Sequence, residues 1–195
     1  MQLILIRHGQ TEWNASQKYQ GHTDIPLDDT GRQQARRLAE HLLQLEKVEA
    51  VYASDLVRAR ETAEIIAQAF NLKPLIDPRL RELCFGKWEG LTFNQVYAIY
   101  RAEFEQWYNS LAEFCVPGGE SFSDVANRSL EAIADIKQKH RGTVAAVTHG
   151  GVIKAVLSRI QSDLDLWQVN IMPASLTKIG FSNNSIAISY IGVVV

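Results

Sequence analysis

Cysteine is scarce in this chain. Only Cys84 and Cys115 occur, far apart and in no Cys-x-x-Cys pair, which excludes a disulfide framework and a zinc knuckle. Both are expected to be buried as small apolar side chains. Long apolar runs are missing too: residues 3–6 and 144–147 fall far short of the roughly 20 needed to span a bilayer, so no transmembrane helix is expected. Met1-Gln2 lacks a basic n-region and Arg7 interrupts the first apolar stretch, so no signal peptide is expected and the cytoplasm is the expected compartment. Charge of one sign is also absent. Lys and Arg number 20 against 22 Asp and Glu, and the net charge of -2 leaves no basic face for nonspecific nucleic-acid binding. Neither a nucleic-acid nor a membrane partner is expected, and no repeat, linker or low-complexity tract interrupts the chain.

What is present is 46% apolar residues in 195, enough for one domain with its own core. Leu3-Ile4-Leu5-Ile6 predicts a strand buried on both faces, and hence a parallel sheet. Thr30 is expected to cap a helix bearing Ala35, Leu38, Ala39, Leu42 and Leu45 at helical spacing. Ala50-Val51-Tyr52-Ala53 supplies the second strand, and Ser54 or Asp55 caps a helix with Ala59, Ala63, Ile66, Ala67 and Phe70 inward. This alternation is the α/β rhythm. A short strand at Leu75-Ile76 follows, then a glycine-punctuated loop. Residues 92–108 predict one helix with Phe93, Val96, Tyr97, Tyr100, Phe104 and Trp107 as a stripe. Ser121 starts another helix. Residues 143–148 form the fourth strand, 152–160 a helix, and 176–181 with 186–195 a closing hairpin turning at Asn183-Asn184.

Two apolar strands end alike, in Arg7-His8-Gly9 and in Thr148-His149-Gly150. Ligands of open α/β sheets bind beyond the carboxyl ends of the strands, so both imidazoles should face one crevice. A single such histidine would be an ordinary satisfied polar residue; the repetition points to a site. Arg7 adjoins His8, and Arg58 lies in the first turn of a helix, where backbone N–H groups already favour an anion. Each guanidinium can grip two phosphate oxygens. Glu82, in a loop leaving a strand, is the candidate general acid.

The segment Arg7-His8-Gly9-Gln10-Thr11-Glu12-Trp13-Asn14 resembles the signature of the histidine phosphatase superfamily. The similarity continues through residues 20–27, 54–63, 80–82 and 85–90 and through Val147-Thr148-His149-Gly150-Gly151, covering nearly the whole chain. It implies the phosphoglycerate mutase-like fold: a three-layer αβα sandwich whose mostly parallel sheet carries an antiparallel C-terminal edge strand, in one domain over 1–195 with a helical cap-like segment at about 88–120. It also implies His8 as nucleophile, Arg7, Arg58 and His149 as the phosphate pocket, and Glu82 as proton donor. Asn14, Gly21, Thr23 and Gly150 become the substrate-binding candidates. The physics agrees: a neutral His8 would attack phosphorus in line, the arginines and a protonated His149 would stabilise the equatorial oxygens, and Glu82 would serve as acid and then base. No cofactor and no metal is required, and His22, His41 and His140 show no ligand spacing. His41 and His140 are expected to be solvated, and His22 either solvated or a substrate-loop contact.

The expected function is hydrolysis of a small-molecule phosphate ester by a monomer or homodimer. Phosphoryl transfer by a mutase is less expected, because primer-dependent family mutases carry extra sequence around the cap. A catalytically dead module is least expected, since all five reacting positions are filled. Residues 7–14, 19–24, 85–92 and 117–121 are most similar to α-ribazole phosphatases, which act in cobalamin biosynthesis; broad-specificity and phosphoserine phosphatases share much of the pattern. Pro173 departs from the asparagine frequent there in the family, a difference expected to touch substrate-side detail and to leave the phosphate pocket alone. The aromatic stripe is open to two readings, core against the Ser121 helix or a cap stacking on a flat base.

Overall fold

Strands β1 (Gln2–Arg7), β2 (Val48–Ala53), β3 (Leu75–Ile76), β4 (Thr143–Thr148), β5 (Leu176–Phe181) and β6 (Ile186–Val193) form one mixed sheet in the order β3-β2-β4-β1-β5-β6. The structure is a computed structural model that describes residues 1–182 and 185–195; the Asn183-Asn184 turn lies outside them. Pairings from β3 to β1 are parallel, and β5 runs antiparallel to both β1 and β6. The sheet is therefore mostly parallel with an antiparallel edge, as expected.

The two unbroken apolar runs became the adjacent strands β1 and β4, and alternation sends their side chains into two separate cores. Leu3, Leu5, Val144 and Ala146 pack on one face with helices α6 (Phe122–Lys139) and α7 (Gly150–Ile160). Ile4, Ile6, Ala145 and Val147 pack on the other with α2 (Asp29–Leu45) and α3 (Val57–Ala69). All eight are fully buried, and each leucine or isoleucine contributes about 1.5–3 kcal/mol on transfer from water.

Several local expectations are corrected. A short helix α1 (Glu12–Ala15), which the hydrophobic pattern does not announce, is closed by a capping box between Thr11 and Asn14. Asp28, not Thr30, caps α2, its carboxylate accepting from the Gly31 N–H at 2.7 Å. Neither Ser54 nor Asp55 caps α3: Asp55 is committed to Arg81, and Asp24 reaches across the fold to accept from the Val57 N–H at 2.7 Å. The long aromatic helix breaks at Tyr100 into α4 (Phe93–Ile99) and α5 (Arg101–Asn109). That bend lets Val96, Phe104 and Trp107 converge on Trp88 and Val116, so the stripe builds its own small core rather than packing on α6. Helix α7 starts at Gly150, two residues early, with His149 as its N-cap. Cys84 is only partly buried and Cys115 is exposed, because both sit in loops bordering that small core. His140 is not simply solvated: its ring lies 3.1 Å from the Tyr52 hydroxyl and 3.2 Å from Glu49.

Candidate active site

Because β1 and β4 pair in register to Arg7 and Thr148, the residues that follow, His8 and His149, emerge side by side. Their rings are 5.1 Å apart and inclined at 61°. His8 Nδ1 lies 2.7 Å from the Gly9 carbonyl, so its N–H is held there and Nε2 keeps its lone pair. A Cβ on Gly9 would come within 2.5 Å of the Gly31 carbonyl oxygen, so only glycine lets the chain turn here. The Gly9 N–H donates to Thr62 Oγ1 (3.1 Å), and that hydroxyl donates to the Arg58 carbonyl (2.8 Å), coupling the His8 turn to α3.

Arg58, the second residue of α3, is completely buried. Nη1 and Nη2 donate to the carbonyls of Thr23 (3.1 Å) and Gly21 (2.7 Å). Arg7 Nη1 donates to the Ile171 carbonyl at 2.6 Å. The Nε atoms of both arginines and both ring nitrogens of His149 are buried without a partner among the described residues. Glu82 Oε1 accepts from the Leu83 N–H (2.9 Å) and Oε2 from the Gly151 N–H (3.2 Å), while Gly150 lies directly against Arg7.

Burial, with Arg58 and Arg7 nearby, holds the His8 pKa well below the imidazole value of 6.5. Burial, Arg58, His8 and Arg7 do the same to His149, so burial and the pocket's own cations hold both rings toward the neutral form, and the protonated His149 expected from the sequence needs the charge of a bound anion. Burial also lowers Arg7, and lowers Arg58 to about 10, with Glu82 opposing the shift in both; guanidinium still carries its charge at neutral pH. Two cations, two neutral imidazoles and several unused N–H donors make a pocket for an anion.

The remaining candidates are engaged differently. Gly21 and Thr23 meet the site through their carbonyls on Arg58, and the Thr23 N–H and hydroxyl are both taken by Glu89. The Asn14 side chain accepts from the Thr11 N–H and donates to Gln20 (3.3 Å). His22 Nε2 lies 2.9 Å from the Glu82 carbonyl oxygen, making it a support of the acid rather than a solvated residue. Sequence reasoning missed Arg128, whose guanidinium pairs with Glu120 and donates to the carbonyls of Arg79, Arg81 and Glu82, clamping the segment that carries the acid. It also missed Lys154, although a lysine among Val152, Ile153, Ala155 and Val156 was a visible signal. Pro173 was expected to leave the pocket alone. The turn it opens puts Ala174 at a φ of 57°, with its buried N–H donating to the carbonyls of Arg7 and His8.

Two cavities flank Arg7. One of about 330 Å³ runs from Glu82 and Gly151 to Lys154, Trp107 and Trp167. The other, about 460 Å³, is bordered by Gln10, Asn14, Tyr19, Phe93 and Pro173. Among the described residues no group of three or more His, Cys, Asp or Glu is placed to hold a metal ion, and no helix is long and apolar enough to cross a membrane.

Residues 3–193 match the family described as histidine phosphatase superfamily (branch 1). The chain is 41% identical to phosphoglycerate mutase-like protein 4 of Arabidopsis thaliana, over 81% of this chain and 70% of that protein. It is 38% identical to a metal-independent phosphoserine phosphatase of the same plant, over 82% and 68%. Among solved structures, Bacillus stearothermophilus YhfR superposes with a TM-score of 0.91 at 34% identity, covering 100% of this chain and 98% of that one. The alpha-ribazole phosphatase of Shigella flexneri superposes with a TM-score of 0.86 at 26% identity, covering 99% and 96%.

Proposed function

This chain belongs to the histidine phosphatase superfamily, and from that premise we propose that it is a phosphomonoesterase working through a phosphohistidine. The observation that carries the reading is the fixed tautomer of His8: Nδ1–H is held by the Gly9 carbonyl, and Nε2 is left with its lone pair while Arg58 and Arg7 lie close by. Nε2 attacks phosphorus, the ester P–O bond breaks, and the Glu82 carboxyl passes its proton to the departing alkoxide. Arg7, Arg58 and His149 share the charge of the equatorial oxygens, and a phosphate dianion supplies the negative charge that favours protonation of His149. Water then attacks the phosphohistidine and loses its proton to the Glu82 carboxylate. Inorganic phosphate leaves, and His8 and Glu82 return to their starting forms.

No step needs a metal ion, so activity should survive EDTA; loss on chelation with recovery in Mg²⁺ or Zn²⁺ would refute the mechanism. Rapid acid quenching during turnover should trap phosphate on His8 as an acid-labile, base-stable adduct, and a burst without it places the nucleophile elsewhere. The substrate is a small-molecule phosphate ester whose alcohol portion occupies one of the two cavities that flank Arg7. The sequence resemblance makes α-ribazole 5'-phosphate, and so cobalamin biosynthesis in the cytoplasm, the first case to test. The phosphoserine phosphatase relative makes phosphoserine the second. Rates on both, with 3-phosphoglycerate and 2,3-bisphosphoglycerate included, also test phosphoryl transfer, the activity suggested by the mutase-like relative.

A further inference from the structure

The cavity beside Glu82 holds a charged group that this phosphate chemistry does not use. Lys154 projects from α7 into a wall made largely of Leu83, Phe85, Leu111 and Leu166. It is half-buried, its ammonium donates to the Leu166 carbonyl at 2.8 Å, and no carboxylate lies within ion-pair distance among the described residues. A lysine so placed is costly unless something pairs with it, and burial already lowers its pKa. Trp107 lines the same cavity with its ring, its indole N–H being buried away from the opening.

The spacing is informative. Gly150 and Gly151 border the phosphate end, and Lys154 stands four residues further along the helix than Gly150, about 6 Å at 1.5 Å per residue. Phe85, Trp107 and Trp167 supply aromatic walls, and the volume of about 330 Å³ falls at the lower end of pockets that enclose drug-sized ligands.

We propose that Lys154 is the specificity residue of a second subsite, which takes a carboxylate at the far end of a phosphate monoester with a flat apolar body. The inference rests on the phosphatase reading of the His8 pocket. A neutral tail would dry the cavity and leave ammonium hydrogens unpaired, whereas a carboxylate forms a charge-assisted bond with them.

The test compares 4-(phosphonooxy)phenylacetate with its methyl ester in kcat/KM, and the matching non-hydrolysable benzylphosphonates in Kd. The wild-type protein should prefer the acid by about tenfold or more in both measurements. Lys154→Met should bring the ratio to within about twofold of one, and Lys154→Arg should restore it. An acid-to-ester ratio near one in the wild type, or a preference unchanged in Lys154→Met, overturns the subsite. If Lys154→Met does not fold, the wild-type ratio and Lys154→Gln decide. Absence of hydrolysis of any ester by the wild type overturns the phosphatase reading alone, because the phosphonate affinities still read the subsite.

Discussion

Around His8 the supporting contacts are directional hydrogen bonds to backbone or to buried polar atoms; around Trp107 they are ring against ring. His8, Gly9, Thr62 and Arg58 form one chain of such bonds, anchored in the two central strands and the first turn of α3. Trp107 instead meets Trp88 at 5.6 Å, Phe104 at 5.7 Å and Trp167 at 5.5 Å, and Trp167 stacks on Tyr108 at 4.7 Å while remaining 46% exposed. Hydrogen bonds fix angles as well as distances, whereas aromatic packing accepts several arrangements of similar energy. The His8 end is thereby built for one geometry, and the aromatic end can be re-cut without disturbing it.

The contrast can be broken most severely at His8. His8→Ala should abolish turnover, a loss on the order of 10⁴-fold or more, and abolish the acid-labile adduct with it, while circular dichroism stays native. Glu82→Gln should cost roughly 10²- to 10⁴-fold on alkyl phosphates and clearly less on p-nitrophenyl phosphate, whose leaving group scarcely needs a proton. An equal loss on both would assign Glu82 to positioning or to the dephosphorylation step.

Acidity sharpens the same comparison. If His8 attacks as proposed, its depressed pKa keeps it neutral for that step, so the acid limb of kcat/KM should fall well below pH 6.5. Stability follows with a definite sign. The unfolded chain binds these protons near pH 6.5 and the folded chain does not, so the contribution of His8 and His149 is complete above that value and declines as pH falls from there toward their folded pKa values. Denaturant midpoints between pH 8 and 5 in the wild type and in His149→Gln measure it; an identical pH slope in the two would contradict the burial argument.

The smallest effects on turnover belong to the aromatic residues. Trp107→Ala removes a buried ring and should cost about 3–5 kcal/mol. Phe93→Ala removes a side chain that is 51% exposed and should shift stability by no more than about 0.5 kcal/mol, while raising KM for α-ribazole 5'-phosphate severalfold relative to phosphoserine. Equal kcat/KM ratios for the two substrates before and after the change would leave Phe93 without a part in specificity.

The division also explains what could be read from the sequence. Strands β1 and β4, their histidines and the arginine at the start of α3 were legible because continuous apolar runs and strand-end placement are local signals. The break at Tyr100, the cap that Asp24 gives α3 and the clamp of Arg128 on the Glu82 segment were not, since each joins positions distant along the chain or depends on a bend that periodicity cannot express. The left-handed Ala174 was hidden for a related reason: nothing in an alanine announces positive φ, and only the two carbonyls it serves account for it.

The pairing of β1 with β4 also sets a clock. The His8 N–H donates to the Thr148 carbonyl at 3.0 Å, so the backbone of the nucleophile is a continuation of the most deeply buried ladder in the sheet. Local fraying cannot release it; the amide must wait for the cooperative opening of the whole sheet, and its hydrogen exchange is tied to the slowest process in the molecule. The tryptophan rings at the cavity are held by packing against other rings and by no such ladder.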